Sequence, residues 1–492
     1  MEKAKLYLHT KYQVGSVDER IFGGFLEHLG RAVYEGVYDP TSPHADEDGF
    51  RKDVMNALKE MRYTAMRYPG GNFASDYHFE NGIGEKRESI IDYAWQSIED
   101  NSFGTDEFMR LCKKMGWQSM LTVNLGTGTP EEARNWVEYC NAPVGTKYSN
   151  MRAKNGHPEP YNVKLWCLGN EMDGIWQLGH VPAREYAIRA QQAAKMMKDV
   201  DPTIELIAAG SSGFAAGSTY MTWDDEVLSY IGDFADYISL HCYVGNHENN
   251  SENYFYKTKC FDTQIQDMAS VCRFVQGKSR SKKRIQLSFD EWNVWYRANE
   301  LEKVRIKAPH LLEEVYNQED ALICAAYLLS FIRNADCLKI ANIAQIVNVI
   351  APILTDGDKM LIQSIYYPFV MMSKRREGIS LKTVTESPMI KVDDVNDMQS
   401  IDSGAILNGN ELSIFLTNYS DKDLCISVDL ADKKIKSVQS CEILVANDLK
   451  DANTYENQEI VKTKDYAEYL LENEFMITLP AYSFVAATLN IE

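Results

Sequence analysis

Two glutamates stand where a carboxylate can do chemistry. Glu171 follows the apolar run VKLWCL and the pair Gly169-Asn170, and Glu291 follows the apolar run IQLSF and Asp290. A carboxyl placed directly after a buried segment is not an ordinary surface glutamate. If both runs are strands of one closed sheet, the two carboxyls face each other across its carboxyl edge, which is the arrangement that glycosidic cleavage requires. One carboxyl protonates the leaving oxygen. The other stays ionised to attack the anomeric carbon or activate water, so the surroundings must push the two pKa values apart.

Other polar residues gather at equivalent places. Asn170 offers a donor and an acceptor for a sugar hydroxyl next to the reacting carbon, or caps the turn it begins. Tyr243 is placed to hydrogen-bond the nucleophile with His241 as a neighbouring donor, although its ring also suits the core behind DYISL. Glu27, Arg67, Asn72 and Gln345 are positioned to hold sugar hydroxyls or orient the catalytic carboxyls. An unpaired Arg67 at the end of an apolar segment would be costly, so a carboxylate partner such as Glu291 is expected. Gly70-Gly71 lets the backbone pass close to a ligand or take positive φ, and a tight turn after Pro69 accounts for it as well. Trp95, Trp176 and Trp292 are candidate platforms for the apolar face of a sugar.

These residues need a scaffold, and the patterning supplies one. Eight short apolar segments, at 20–27, 64–68, 118–124, 163–168, 204–209, 237–241, 285–289 and 339–346, alternate with stretches of helical period, the pattern of a (β/α)8 TIM barrel. Helices are expected at 50–61 with Asp48 as cap, after a Thr105 cap, at 183–199 behind Pro182, and at 319–334. After Gly378 the period turns to alternation, with strands expected at 403–407, 411–417, 424–430, 439–445, 475–479 and 484–489. The expected organisation is a catalytic barrel over 18–375 and an antiparallel β-sandwich over 376–492. The segment 1–17 joins the sandwich, with 4–8 as an edge strand.

Composition narrows the partners. The 492 residues carry a formal charge of -20, which repels phosphate backbones and anionic membranes, so neither nucleic acid nor a membrane is an expected partner. The opening MEKAKLYLHTKYQVGSVDER has no apolar leader core, and the ten cysteines show no CxxC or Cys/His spacing, so a cytoplasmic location is expected. Nine histidines without HExxH or calcium-loop spacing leave no metal or cofactor expected.

The blocks GFLEHLGRAVYEGVYDP, MRYPGGNFASDYHFENGIG, WCLGNEMDGIWQLGH, SLHCY and LSFDEWNVWY resemble the α-L-arabinofuranosidases of glycoside hydrolase family 51 over nearly the whole chain. The resemblance implies a retaining, exo-acting enzyme that removes terminal α-L-arabinofuranosyl groups from arabinan or arabinoxylan oligosaccharides. It puts the acid/base of the GNE motif on Glu171 and the nucleophile of the DEW motif on Glu291. Glycone binding falls on Glu27, Arg67, Asn72, Asn170, Tyr243 and Gln345 with His241, and Trp176 faces the leaving group. An intracellular homo-oligomer, often a hexamer, is also implied. Cys242 departs from the glutamine common in relatives, and strand alternation turns it away from His241 and Tyr243. DYHFEN also differs from relatives with larger aromatics. Two other readings use the same positions, an endo-acting β-glycanase on the same scaffold and a carbohydrate-binding protein without turnover.

Overall fold

The computed structural model describes residues 2–214, 218–298, 305–472 and 474–492. Eight parallel strands close into a barrel in chain order: Gly23–Phe25, Ala65–Tyr68, Gln118–Thr122, Leu165–Leu168, Glu205–Ala208, Tyr237–Val244, Gln286–Val294 and Leu338–Ala344. All eight expected segments are present. Closure runs through Asn342 beside Gly23 and Phe25 beside Arg67.

The boundaries differ for local reasons. The first strand is only three residues long, because Asp18 accepts a hydrogen bond from the Arg20 backbone and turns Glu19–Phe22 into a 3-10 helix. The third stops short of Asn124, whose side chain instead accepts from the backbone of Gly126, Thr127 and Gly128. The sixth and seventh run on, so His241, Tyr243, Asp290 and Glu291 lie within strands. Against the eighth strand, Phe289 faces Ala341 and Trp292 faces Ile343, leaving Asp290 and Glu291 opposite the single residue Asn342. That is a β-bulge, and it breaks the alternation that would send adjacent side chains to opposite faces.

The expected helices form with altered starts. The first is Lys52–Met61 without a side-chain cap; Asp46 takes the turn hydrogen bonds, while Asp48 pairs with Lys114. Helix Thr105–Met115 is closed by Glu107 accepting from the Gly104 backbone, so Thr105 is its first residue rather than its cap. Helix Ala183–Val200 follows Pro182. Helix Gln318–Arg333, capped by Asn317, is buried nearly all round because its other side meets a second sheet.

That sheet has seven strands, in the order Gln13–Ser16, Ile379–Leu381, Ile401–Asn408, Glu411–Asn418, Ser483–Ile491, Ile435–Leu444 and Thr463–Asp465. A five-stranded sheet packs on it, ordered Val384–Glu386, Glu2–Leu8, Leu424–Leu430, Phe475–Leu479 and Tyr469–Leu471. Leu6, Ile414, Leu416, Ile426, Ile477 and Val485 fill the space between them. Strand Glu2–Leu8 is interior rather than an edge, and it runs parallel to Leu424–Leu430 within an otherwise antiparallel sandwich. Arg333 joins barrel to sandwich through Asp262 at 2.7 Å and Asp402 at 2.6 Å.

Candidate active site

The carboxyl ends of the barrel strands bring the sequence-derived residues together. Arg67, ending the second strand, donates from Nη1 to Glu291 Oε1 at 2.7 Å and from Nη2 to Asn170 Oδ1 at 2.5 Å. Tyr243 donates to Glu291 Oε2 at 2.8 Å. Glu171 receives Trp176 Nε1 at 2.6 Å on one oxygen, and His241 Nδ1 lies 2.8 Å from the other. His241 Nε2 rests 3.2 Å from Asp290 Oδ1. Glu171 itself has φ of 43°, a left-handed conformation that a residue with a Cβ adopts only when its surroundings hold it there. Carboxylate oxygens of Glu171 and Glu291 and a ring nitrogen of His241 lie within 4.8 Å of one another.

Glu27 forms the adjoining wall. Its Oε1 accepts from the Phe73 backbone and Trp95 Nε1, each at 3.0 Å, and its Oε2 accepts from Gln345 Nε2 at 3.0 Å. Gln345 Oε1 in turn receives the Glu27 backbone N–H at 2.9 Å. At Gly71 the φ of 21° is positive, as foreseen for this glycine pair, and any side chain would overlap the Glu27 carboxylate. Asn72 is half-buried, and its side-chain amide has no hydrogen-bond partner among the described residues.

The electrostatics follow from crowding acids in a dry pocket. Burial, helped by the charge on Glu291, pushes the Glu27 carboxyl up to about 8. Burial also raises Glu171, against the opposing hydrogen bond from His241 and with the help of Glu291. For His241 burial alone would favour the neutral ring, yet Glu291, Asp290 and Glu171 surround it and hold its pKa well above the ordinary value. Burial and Glu291 raise the Tyr243 hydroxyl, which keeps it a donor.

Some expectations change. Trp292 is fully buried against Tyr327 and Phe331, so it is core and not a sugar platform. Trp95 is half-buried with its N–H on Glu27, whereas Trp176 is 57% exposed beside Glu171. Cys242 faces Cys260 and Tyr327 behind the strand, where the Cys260 contact lowers its thiol pKa. Asp290 was given no role from the sequence, although it follows the same apolar run IQLSF that marked Glu291. Of the metal-compatible groups among the described residues, Glu171, His241 and Glu291 already contact Arg67, Tyr243, Trp176 and Asp290. The surface trio Asp46, Glu47 and Asp48 encloses the Lys114 ammonium.

Residues 57–259 match the family model described as the α-L-arabinofuranosidase 1 domain, and residues 290–483 match that of the α-L-arabinofuranosidase C-terminal domain. The chain is 43% identical over 96% of its length to an intracellular exo-α-(1→5)-L-arabinofuranosidase 1 of Bacillus subtilis, covering 96% of that protein. The chain belongs to glycoside hydrolase family 51. Among solved family 51 structures, an α-L-arabinofuranosidase from Bifidobacterium longum superposes with a TM-score of 0.95 at 33% identity, with both chains covered completely. The arabinose complex of an α-L-arabinofuranosidase from Thermotoga maritima gives 0.88 at 33% identity, covering 99% of this chain and 100% of that one. As a family 51 member the protein is a glycoside hydrolase, and the barrel mouth holding Glu171 and Glu291 is its candidate active site.

Proposed function

We propose that the protein is a retaining, exo-acting α-L-arabinofuranosidase that releases terminal α-L-arabinofuranosyl groups from arabinan or arabinoxylan oligosaccharides. The observation that supports this stereochemistry is that one carboxylate oxygen of Glu171 lies within 4.8 Å of one of Glu291. Retaining enzymes hold this pair about 5 Å apart, whereas inverting ones need roughly 6.5–9.5 Å to admit a water between acid and base. Glu291, held in place by Arg67 and Tyr243, attacks the anomeric carbon. Glu171, whose raised pKa favours the acid form, gives its proton to the leaving oxygen and later takes one from water. His241 beside it stabilises the Glu171 carboxylate left between the two steps. Glu27, Asn72, Asn170 and Gln345 hold the sugar hydroxyls, and the exposed Trp176 ring meets the leaving group.

The likeness to the intracellular exo-α-(1→5)-L-arabinofuranosidase 1 of Bacillus subtilis supports the arabinofuranosyl specificity, the exo action and an intracellular site. Among the described residues no helix is long and apolar enough to cross a membrane. We place the enzyme in the cytoplasm as a homo-oligomer, and light scattering of the purified protein tests for a hexamer. The deciding experiment follows products from branched arabinan and arabinoxylan oligosaccharides by NMR. Arabinose first released as the α-anomer confirms retention and exo action. Initial β-arabinose, or mid-chain cleavage of a β-glycan with negligible arabinose, overturns the reading, and binding without turnover on every substrate does so too.

A further inference from the structure

We propose that Gln177 is a positioning residue that sets which way Asn170 faces the sugar. A guanidinium only donates, so Arg67 Nη2 at 2.5 Å fixes Asn170 Oδ1 as the acceptor and turns the Asn170 NH2 the other way. That group donates one N–H to Gln177 Oε1 at 3.4 Å. The orientation of Gln177 is fixed in turn, because its own NH2 donates to the Asn72 carbonyl at 3.4 Å and to Ser75 Oγ. Gln177 is 2% exposed and shares a loop with Glu171 through backbone bonds from Gly174 to Glu171 and from Gln177 to Gly174. The row Arg67, Asn170, Gln177, Asn72 therefore runs in one donor-to-acceptor direction and ties the Glu171 loop to the loop after the second barrel strand. One Asn170 N–H is left over for the hydroxyl that this reading puts beside the reacting carbon. The 3.4 Å bonds are long, as catalytic hydrogen bonds often are before substrate tightens them.

The proposal rests on the reading that Asn170 binds that hydroxyl, and the test separates the two. kcat/KM is measured for wild type, Asn170→Ala and Gln177→Leu on an aryl α-L-arabinofuranoside and on its 2-deoxy analogue. Gln177→Leu should lose about 10- to 100-fold on the full substrate and little on the 2-deoxy one, since misplacing a binding group costs only where its partner exists. Gln177→Glu keeps the shape and the Asn170 acceptor but cannot donate to the Asn72 carbonyl, so it should show the same selective loss and covers a failure of the leucine variant to fold. Equal losses on both substrates, or none, overturn the positioning role. Equal losses for Asn170→Ala show instead that the underlying reading of Asn170 is wrong, and the proposal falls with it.

Discussion

The Arg67 guanidinium and the Glu291 carboxylate meet at 2.7 Å with their side chains 1% and 8% exposed, and Asp290 lies 3.6 Å from the same guanidinium. One cation thus serves two adjacent buried acids and, through Nη2, Asn170. Removing it as Arg67→Ala leaves His241 as the one cation beside the two carboxylates, which should destabilise the fold by about 3–5 kcal/mol and depress turnover together. Arg67→Lys should recover part of the stability and little of the activity, because an ammonium cannot reach Glu291 and Asn170 in one plane. Denaturant unfolding alongside kcat checks this; near-normal values of both in the alanine variant would show the pairing to be unimportant.

The division of labour between Glu171 and Glu291 is read from the product anomer under azide rescue. Glu171→Ala should still form the glycosyl-enzyme from an activated aryl arabinofuranoside, and azide should then give the α-azide by a second inversion. Glu291→Ala should be nearly inactive, and any azide rescue there is a single displacement giving the β-azide. The opposite anomers from the two variants would reverse the roles, and a mechanism-based label on neither glutamate would reject the site.

A raised Glu171 pKa extends the acid form above the usual carboxyl range, so the rate should fall only as pH climbs past that raised value. The alkaline limb of kcat/KM should be steep for an arabino-oligosaccharide, whose leaving group needs a proton, and flatten for a dinitrophenyl arabinofuranoside, whose leaving group does not. Identical limbs on both substrates would assign the titration to another group.

Glu27 links activity to stability. Its carboxyl is raised from 4.5 to about 8, so the folded state holds its proton more tightly than the unfolded chain. The sign follows: the stability this proton confers is fully present below pH 4.5 and is lost as pH rises towards 8, a change of a few kcal/mol. Relative to Glu27→Gln, wild type should therefore lose unfolding free energy across that window. A difference that stays flat with pH would show that Glu27 titrates normally.

Full activity should survive EDTA, since Arg67, Tyr243 and Trp176 already satisfy the two carboxylates that a divalent ion would need. Loss of activity restored specifically by one divalent ion would refute the metal-free mechanism.

The barrel was legible because each strand is an apolar run with polar residues at one end, and Arg67 announced a partner because a lone buried charge is so costly. Other features depend on contacts distant in sequence. The bulge at Asp290 and Glu291 arises from register against Leu338–Ala344, and no periodicity of IQLSFDEW reveals it. Trp292 reads as well as a platform as Trp176 until Tyr327 and Phe331 are seen to enclose it. The Asp48 cap failed because Asp46, two residues earlier, competes for the same turn.

Strand Glu2–Leu8 lies between Val384–Glu386 and Leu424–Leu430, so the first residues of the chain complete a sheet built from some of its last. Neither part can be lifted out by one cut. A fragment starting after the barrel would carry the sandwich with a missing inner strand and two newly opened edges, the kind of surface that recruits other chains. Exchanging the sandwich between relatives accordingly takes two crossovers, one at each end of the barrel, and the N-terminal strand must travel with its distant partners.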